Sequence, residues 1–481
     1  MVADALMPDA PADARAVERL RALVRIHTIS RPTSGPGPRA DRSVFEQFIA
    51  ALPGLYPRVH AALERERLGG ADDGTGPIGT GPIGTGPDGT TGYTLLYRWR
   101  GTDPDAEAAP TVLMAHYDVV AATDEGWAHP PFAAELVEHE GEPTVWGRGA
   151  IDDKGALAAV LEAVERLLEA GFAPRHDVLL LLGHDEEVAG TGAQAVADVL
   201  RERRIRPSLV LDEGGAIVSG VFPGLAEPAA LVGVTEKGIT TLTLRVEQVG
   251  GHAASPPPLA ATERLARALL RLNARPARSR LDPTTRTMIR TLGSRVRGPL
   301  GFVLRRVDAF APLLVRVLRR RGPETTALLR TTRAVTELLA GHAANALPES
   351  AEATLNMRIA PGESVAEAVE AVRRAIADDA VAITVLQPSE PSPVSPAHGP
   401  AWDDLTAAID EVVPGLLVSP YVMMQASDAR FLTAISTHVY RFTPFRLSTA
   451  ERACLHAKNE RIRVASYLEG VRVYEALLRR R

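Results

Sequence analysis

The chain has 481 residues, of which 45% are hydrophobic and 23% are charged, and its formal net charge is -5. This length exceeds the roughly 250–300 residues at which a single hydrophobic core stops growing, so we expect two domains. The slight negative charge disfavours a nucleic-acid-binding protein, and the single cysteine, Cys454, excludes an internal disulfide framework and a cysteine-built zinc site.

The predicted localisation is the cytoplasm. The N-terminal segment MVADALMPDAPADARAVERL has neither the basic start nor the apolar core of a signal peptide. No apolar run approaches the roughly 18 residues of a membrane span, so we expect no transmembrane segment. A single cysteine is also typical of a reducing compartment.

Strands and helices alternate in the first half of the sequence. Hydrophobic patterning predicts helices at 12–31, 43–52, 153–171 and 190–204, and strands at 94–100, 111–118, 177–185 and 207–215. The strand at 177–185 is continuously apolar, so it should be buried on both faces. The Gly-Pro-Thr repeat at 74–92 cannot build a core and is interpreted as a flexible surface insertion. The alternation of strands and helices predicts a doubly wound α/β domain with a mainly parallel sheet.

The pattern changes after residue 236. Strands at 240–249, 352–361 and 381–387 and helices near 259–274 and 364–379 predict a smaller α+β domain. A hinge at 388–396 leads back to the first domain, and a long helix at 459–480 ends the chain. We therefore expect one domain built from 1–236 and 393–481, with a second domain inserted at 237–392.

Acidic residues and histidines follow the predicted strands. The set comprises His116, Asp118, Asp152, Asp153, Glu186, Glu187, Asp212, Glu213 and, before the last helix, His456. Ligands of an open α/β sheet bind outside the carboxyl ends of its strands, where these side chains should meet. So many carboxylates repel one another unless a cation lies among them. Imidazole and carboxylate together suit zinc or a similar divalent ion.

Each part of this set has a simpler interpretation. A His-x-Asp pair can form a local hydrogen bond, a Glu-Glu pair can begin a helix, and Asp152 and Asp153 can cap one. The stretch GTGAQA at 190–195 resembles a dinucleotide-binding fingerprint. However, residues 184–189 separate it from its strand, and their acids would repel phosphate. The joint arrangement at one sheet edge favours a metal site.

The motifs also resemble a known enzyme superfamily. They are HYDVV, GRGAIDDKG, HDEEVAGTGA, LDEGG, GGHAASPP, NALPESAEATLNMRIAPGE and HAKNERI, in that order from about residue 94. They are similar to the co-catalytic zinc aminoacylases, acetylornithine deacetylase, succinyl-diaminopimelate desuccinylase and carboxypeptidase S. The nearest branch is that of carboxypeptidase S and the N-acyl-amino-acid hydrolases. The resemblance implies that the inserted domain is a ferredoxin-like lid.

The resemblance also implies residue roles. The expected ligands of two divalent ions, with Zn²⁺ favoured over Co²⁺ or Mn²⁺, are His116, Asp152, Glu187, Glu213 (or Asp212) and His456. Asp152 would bridge both ions, while Asp153 occupies a non-ligand position. Glu186 matches the general base, and Asp118 matches the acid that orients the first histidine. On the substrate side, His252, Asn345 and Arg358 match polar contacts, the last to a carboxylate.

The implied reaction is hydrolysis of an amide bond beside a free carboxylate, in an N-acyl amino acid or a small peptide. An aminoacylase-like hydrolase and a strict dipeptidase or carboxypeptidase both remain open. Outside this class, the alternative is a non-catalytic binding or scaffold protein that keeps the fold. In several relatives the lid histidine comes from a partner subunit, which makes a homodimer consistent with the resemblance.

A basic segment lies within the inserted domain. Residues 278–333 contain 14 arginines against Asp282, Asp308 and Glu324, an excess of 11 positive charges. Three interpretations stay open: a solvated, salt-bridged lid extension, a cation-rimmed apolar mouth for acyl chains, and contact with a membrane surface.

Overall fold

The computed structural model describes residues 6–31, 40–69, 92–103, 109–220 and 222–481. Apart from its last residue, the Gly-Pro-Thr repeat predicted as a surface insertion at 74–92 lies outside the described residues. The chain divides into two compact units. The large unit comprises Met1–Val234, Ser395–Pro420 and Ser427–Arg481, and the small unit comprises Thr235–Val394 and Tyr421–Ala426.

The strands are numbered in chain order through both units. They are β1 (Glu64–Leu68), β2 (Thr94–Trp99), β3 (Thr111–His116), β4 (Glu135–His139), β5 (Glu142–Trp146), β6 (Val178–Gly183), β7 (Leu209–Val218), β8 (Ala229–Glu236), β9 (Gly238–Glu247), β10 (Gly251–His252), β11 (Thr332–Leu339), β12 (Ala346–Leu347), β13 (Ser350–Ile359), β14 (Ala382–Ser389), β15 (Leu417–Met423), β16 (Val439–Leu447) and β17 (Arg461–Arg463).

The helices are numbered in the same way. They are α1 (Pro11–Val24), α2 (Arg42–Leu55), α3 (Pro57–Ala62), α4 (Lys154–Glu169), α5 (Gly192–Glu202), α6 (Ala261–Ala274), α7 (Pro283–Gly293), α8 (Gly298–Arg305), α9 (Val307–Arg321), α10 (Pro323–Ala327), α11 (Val365–Ile376), α12 (Pro400–Val412), α13 (Thr449–Arg452) and α14 (Val464–Leu478). None of these helices of the described chain has the length and hydrophobicity that a bilayer span requires.

The large unit is built on an eight-stranded sheet in the order β1-β2-β6-β3-β7-β16-β8-β15. The four central strands, β6, β3, β7 and β16, are parallel, and antiparallel strands flank them. Alternate leucines of β6 enter different cores: Leu180 and Leu182 pack on one face, Leu179 and Leu181 on the other. Both faces are therefore covered, which confirms the predicted doubly wound, mainly parallel sheet.

The small unit contains a four-stranded antiparallel sheet in the order β11-β13-β9-β14. Along the chain, these strands and two helices follow one another as β9-α6-β11-β13-α11-β14, which is the ferredoxin-like arrangement. Residues of β13 alternate between buried and half-buried, so one face of the sheet packs against α6 and α11. The predicted α+β fold of the inserted part is confirmed. Four further helices, α7–α10, lie between α6 and β11.

Two predicted helices are longer than the observed ones. The final helix begins at Val464 and not at residue 459, because residues 461–463 form β17, which pairs with β5. The first helix ends at Val24, well before residue 31. The hairpin of β4 and β5 was not predicted as strands. Its short strands carry few apolar residues, so their patterning signal is weak.

Candidate metal centre

Parallel strands bring the predicted site residues to one edge of the large sheet. β3 ends at His116, which pairs with Gly183 at the end of the neighbouring β6. Glu186 and Glu187 follow β6 in a single 3₁₀ turn. On the other side of β3, β7 carries Glu213. The carboxyl ends of these strands thus place an imidazole among several carboxylates.

A first group of metal-ligating atoms surrounds His116. Its Nε2 lies 3.2 Å from Oδ1 of Asp152 and 3.6 Å from Oε1 of Glu213. His116 is only 2% exposed, and its Nε2 has no hydrogen-bond partner among the described residues. A buried nitrogen without such a partner, facing two carboxylates, is suited to bind a cation.

A second group shares one residue with the first. The Nε2 atom of His456 lies 3.0 Å from Oδ2 of Asp152 and 3.0 Å from Oε2 of Glu187. Asp152 therefore directs one carboxylate oxygen to each group. Donor atoms about 2.0–2.2 Å from a tetrahedral ion are about 3.3–3.6 Å apart. Both groups suit a divalent ion in donor type, and their distances of 3.0, 3.2 and 3.6 Å lie in or slightly below this range.

The two acids of LDEGG have different surroundings. Glu213 belongs to the first group, whereas Oδ2 of Asp212 accepts the backbone N–H of Ala429 at 2.7 Å. Successive side chains of a strand point to opposite faces of the sheet, so only one of the two can reach His116. Of the alternatives that the sequence left open, the structure places Glu213 beside the histidine.

The neighbouring aspartates also differ. Asp152 contributes to both groups, whereas Asp153 contributes to neither. The Asp153 side chain is fully buried, and its Oδ2 accepts the backbone N–H of His116 at 3.1 Å. The peptide bond between the two aspartates is cis. Asp153 thus anchors the end of β3 through the backbone, while its neighbour faces the histidines.

Asp118 connects the histidine to the turn that carries both glutamates. Its Oδ1 lies 3.2 Å from Nδ1 of His116. The same carboxylate accepts the backbone N–H groups of Glu186 at 3.2 Å and Glu187 at 3.1 Å. Although burial opposes it, the contact with His116 lowers the pKa of Asp118, so this carboxyl group stays ionised. One buried carboxylate therefore orients the imidazole ring and positions the glutamates.

The pKa values of the centre reflect its excess of negative charge. Burial and the neighbouring Asp152 raise the pKa of Glu213 to about 8, and burial raises the pKa of Glu186 well above its ordinary range. Hydrogen bonds to Asp152 and Glu187 raise the pKa of His456 to about 10. Protons thus compensate the acids where no cation does, and a bound metal ion would have to displace them.

Reasoning from the sequence missed a buried ion pair between two motifs. The Glu460 carboxylate contacts Nη1 of Arg148 and accepts the backbone N–H groups of Ile151 at 2.8 Å and Asp152 at 3.0 Å. Nη2 of Arg148 in turn donates to the carbonyl oxygen of Ala457 at 2.8 Å. The pair thus joins the turns that carry the shared aspartate and His456. Opposite charges in GRGAIDDKG and HAKNERI are the signal that could have revealed it.

In the small unit, two of the predicted substrate contacts are neighbours. β10, which contains His252, pairs with β12, and the N–H of Ala253 donates to the carbonyl oxygen of Asn345 at 3.1 Å. Nδ1 of His252 accepts the N–H of Ala254 at 3.0 Å. Both predicted contacts are exposed. The ribbon of β10 and β12 therefore brings the backbones of these two residues close together.

The third predicted substrate contact lies elsewhere in the small unit. Arg358 is close to the end of β13, where it pairs with Ile239 and Thr332 of the adjacent strands. At a rise of about 3.3 Å per residue, Arg358 lies about 26 Å along the strand from Ser350, the first residue of β13. The β10–β12 ribbon connects at that first end, because β12 directly precedes β13. The small unit does not bring Arg358 to His252 and Asn345.

The α/β fold and the cluster of imidazoles and carboxylates at its sheet edge define the class of protein, a metal-dependent hydrolase. Residues 112–480 match the model of Peptidase family M20/M25/M40, and the chain belongs to this family. Family membership agrees with the superfamily that the motifs resemble. The chain is therefore an enzyme and not a non-catalytic scaffold.

Individual relatives support this assignment. The chain is 36% identical over 379 residues to the N-fatty-acyl-amino acid synthase/hydrolase PM20D1 of Homo sapiens, covering 78% of this chain and 74% of the relative. It is 36% identical over 392 residues to the probable carboxypeptidase S-like 2 of Dictyostelium discoideum, covering 80% and 74%. The fold is similar to that of the M20 family metallo-carboxypeptidase Sso-CP2 from Sulfolobus solfataricus. The TM-score is 0.66 and the sequence identity is 15%, and the match covers 96% of this chain and 98% of that one.

Proposed function

We propose that the chain is a dinuclear zinc hydrolase that cleaves the amide bond of N-acyl amino acids or small peptides beside a free carboxylate. One observation carries the proposal: Asp152 gives one oxygen to each of two groups, and each group adds a histidine and a further carboxylate. Two adjacent ions require such a short bridging carboxylate. Imidazole with carboxylate favours Zn²⁺, with Co²⁺ and Mn²⁺ as the alternatives.

Each ligand has its place in this proposal. His116 and Glu213 would hold one ion, Glu187 and His456 the other, and Asp152 both. When bound, such ions lower the pKa of water from 15.7 to about 7 and polarise the scissile carbonyl group. Asp118 fixes the tautomer of His116, because its backbone carbonyl oxygen accepts the Nδ1–H of the imidazole at 3.1 Å and its carboxylate lies 3.2 Å from the same nitrogen.

Glu186 is proposed as the general base. It lies in the same 3₁₀ turn as the proposed ligand Glu187, and Asp118 holds its backbone N–H. Burial raises its pKa, which makes this carboxylate a better proton acceptor near neutral pH. Glu186 would take a proton from the attacking water and return it to the leaving amine.

The activities for which the relatives are named support the substrate class. An N-fatty-acyl amino acid and a peptide cut by a carboxypeptidase both have a free carboxylate beside the scissile amide. Arg358 is proposed to bind this carboxylate with its planar fork, and His252 and Asn345 to stabilise the oxyanion. Hydrolysis of acyl amino acids and peptidase activity are both kept, because a relative of each kind is 36% identical to the chain.

We propose that the large unit performs catalysis and that the small unit, predicted at 237–392, contacts the substrate. Within one small unit, Arg358 and the β10–β12 ribbon lie at opposite ends of β13. A small substrate cannot span both, so the partner subunit of a homodimer would supply His252 and Asn345. The cytoplasmic location stays a prediction that cell fractionation would test.

Subunit mixing tests the homodimer. Alone, His252→Ala and Arg358→Ala should each be nearly inactive. A mixture in equal amounts should recover about one quarter of wild-type activity, because half of the dimers are mixed and each of these has one intact site. Activity of the mixture that stays at the level of the single variants would contradict a shared site.

Metal analysis tests the centre itself. The chelated protein should lose activity and regain it with Zn²⁺, Co²⁺ or Mn²⁺, assayed on N-acyl amino acids and dipeptides. Asp152→Ala should lower metal content and activity together. Asp153→Ala is the matched control, since its carboxylate binds the backbone of His116 and belongs to neither group. Two ions per chain in Asp152→Ala, or a larger loss in the control, would refute the bridge.

A further inference from the structure

The small unit contains a cavity of about 1170 Å³. Its apolar wall comes from α6, β11 and β13 and includes Leu265, Leu269, Leu270, Val335, Leu338 and Leu355. The proposed substrate contacts His252, Asn345 and Arg358 are not among the residues that line it. A cavity of this size exceeds the roughly 300–1,000 Å³ of a typical small-molecule pocket.

Much of this wall faces water. Leu270 is 71% exposed and Leu338 is 62% exposed. Both are large apolar side chains, and burying such a side chain contributes about 1.5–3 kcal/mol. A contiguous exposed apolar surface around a concavity marks a binding site. The occupant should therefore have a long apolar part.

Arginines line the other side of the cavity. Arg319 and Arg320, at the end of α9, and Arg330 and Arg333, before and within β11, all contribute to it. Within the part of the chain that the structure describes, none of these four forms an ion pair with a carboxylate. Four positive charges beside an apolar wall favour an anionic ligand, because guanidinium groups form charge-assisted hydrogen bonds with a carboxylate.

Among the four, Arg333 has a buried hydrogen-bond donor without an acceptor in the described part of the chain. Its Nη1 donates to the carbonyl oxygen of Arg275 at 3.3 Å, but its buried Nε has no partner among the described residues. Burial lowers the pKa of Arg333. The charge of the Glu363 carboxylate opposes this shift, and the charge of Arg330 adds to it. A carboxylate in the cavity would supply the acceptor that the guanidinium lacks.

Arginines elsewhere in the same insertion are compensated. Arg286 and Arg290 of α7 both bind the Asp308 carboxylate, at 3.0 Å and 2.7 Å. Neither of these arginines lines the cavity. Within the basic insertion, these two arginines pair with a carboxylate, whereas no carboxylate of the described residues forms an ion pair with the four arginines of the cavity.

We propose that this cavity binds a long-chain fatty carboxylate, with the hydrocarbon chain along the apolar wall and the carboxylate on Arg330 and Arg333. The proposal does not rest on the reaction proposed above, because the metal centre and its residues have no part in the cavity. A monoanion with a long tail uses both surfaces. A polyphosphate or nucleic acid would use only the arginines and leave the wall in water.

The test is binding of monomeric oleate to the full-length, metal-loaded chain, measured by calorimetry below the critical micelle concentration. We expect one oleate per cavity, with much weaker binding of methyl oleate, which lacks the charge, and of acetate, which lacks the tail. The double variant Arg330→Gln/Arg333→Gln should lower the affinity at least about 10-fold, since charge-assisted hydrogen bonds are lost. Leu338→Ser, at an exposed position, should also weaken binding.

The matched control is Arg286→Gln/Arg290→Gln, which removes the same charge from the same insertion. It should bind oleate as the wild type does, and both double variants should hydrolyse a short N-acetyl amino acid at the wild-type rate. An equal loss of oleate affinity in both double variants would show that net charge alone determines binding. If the short substrate competed with oleate, oleate would bind at the metal centre and not in the cavity. Binding only to anionic vesicles, or a cavity closed by a second copy of the chain in solution, would also overturn the proposal.

Discussion

The metal centre and the cavity of the small unit are opposites in charge. At the edge of the large sheet, Asp152, Glu187 and Glu213 surround two histidines. In the small unit, four arginines line one cavity and none pairs with a carboxylate of the described chain. Uncompensated charge in a partly buried site is costly, so each region indicates a ligand of opposite sign.

The two regions differ in how the charges are held. The carboxyl groups of Asp118 and Glu460 accept backbone N–H groups of the turns that carry the proposed metal ligands Asp152 and Glu187, which restricts the movement of these turns. The arginines of the cavity are exposed or half-buried, and Arg333 has a single carbonyl acceptor. Fixed donors suit the strict geometry of a metal ion, whereas mobile guanidinium groups suit a carboxylate on a flexible chain.

The largest expected effect concerns the base next to the fixed ligands. Glu186→Gln should keep its full metal content and lose about 10²–10⁴-fold in kcat, because the amide cannot transfer a proton. Metal analysis and single-turnover kinetics of the same sample would show this. Near-normal turnover would remove Glu186 from the mechanism, and loss of metal would make it a ligand.

The next effect tests whether the rigid turns matter for metal affinity. Glu460→Gln should weaken metal binding about 10–10²-fold, the usual effect of removing a group that orients metal ligands. Competition with a chromophoric chelator measures this affinity. Glu451→Gln is the control: that glutamate pairs with Arg463 at 2.9 Å and is buried near the same end of the chain, without contact to Asp152. A similar loss in both variants would indicate general destabilisation.

Arg358→Lys should lower kcat/KM about 10–10²-fold for substrates with a free carboxylate, because lysine cannot form the bidentate contact. The corresponding C-terminal amide, already a poor substrate, should be hydrolysed by variant and wild type alike. The comparison of acid with amide in both enzymes separates binding of the carboxylate from packing. Equal slowing of the two substrates would leave the carboxylate requirement without support.

The smallest expected effect concerns Lys237, which, in contrast to the arginines of the cavity, is held by two hydrogen bonds. Nζ of Lys237 donates to the carbonyl oxygens of Ala327 and Arg330 at 2.6 Å and 2.7 Å. Burial, and then the charge of Arg358, lower the pKa of Lys237 from 10.5 to about 8. Between these values the unfolded chain binds more protons than the folded one, so the free energy of unfolding rises with pH.

Relative to Lys237→Met, the wild type should therefore gain about 2 kcal/mol of stability between pH 7 and pH 9.5. Urea unfolding of both proteins across this range measures the difference, and titration of all other groups cancels in the comparison. A difference that does not change with pH would show that the amine of Lys237 stays charged throughout this range.

Local patterns in the sequence determined most of the elements and the motif positions. Continuous apolar runs such as 177–185 predicted buried strands, and alternation predicted the half-exposed strands of the small unit. The acids that follow these strands predicted a cation site at the sheet edge. These signals are local: each depends on a few adjacent residues and on the direction of the strand.

Only the tertiary structure decided between residues that the sequence treats alike. The side of the sheet to which each side chain points distinguishes Glu213 from Asp212, which the motif left open. For Asp153, which the resemblance already implied to be a non-ligand, one backbone contact gives the physical reason. The contact of Arg148 with Glu460 joins residues more than 300 positions apart. Composition predicted a basic insertion, but not which arginines would lack a carboxylate. Pairing depends on distances across the folded chain, and sequence separation does not determine these.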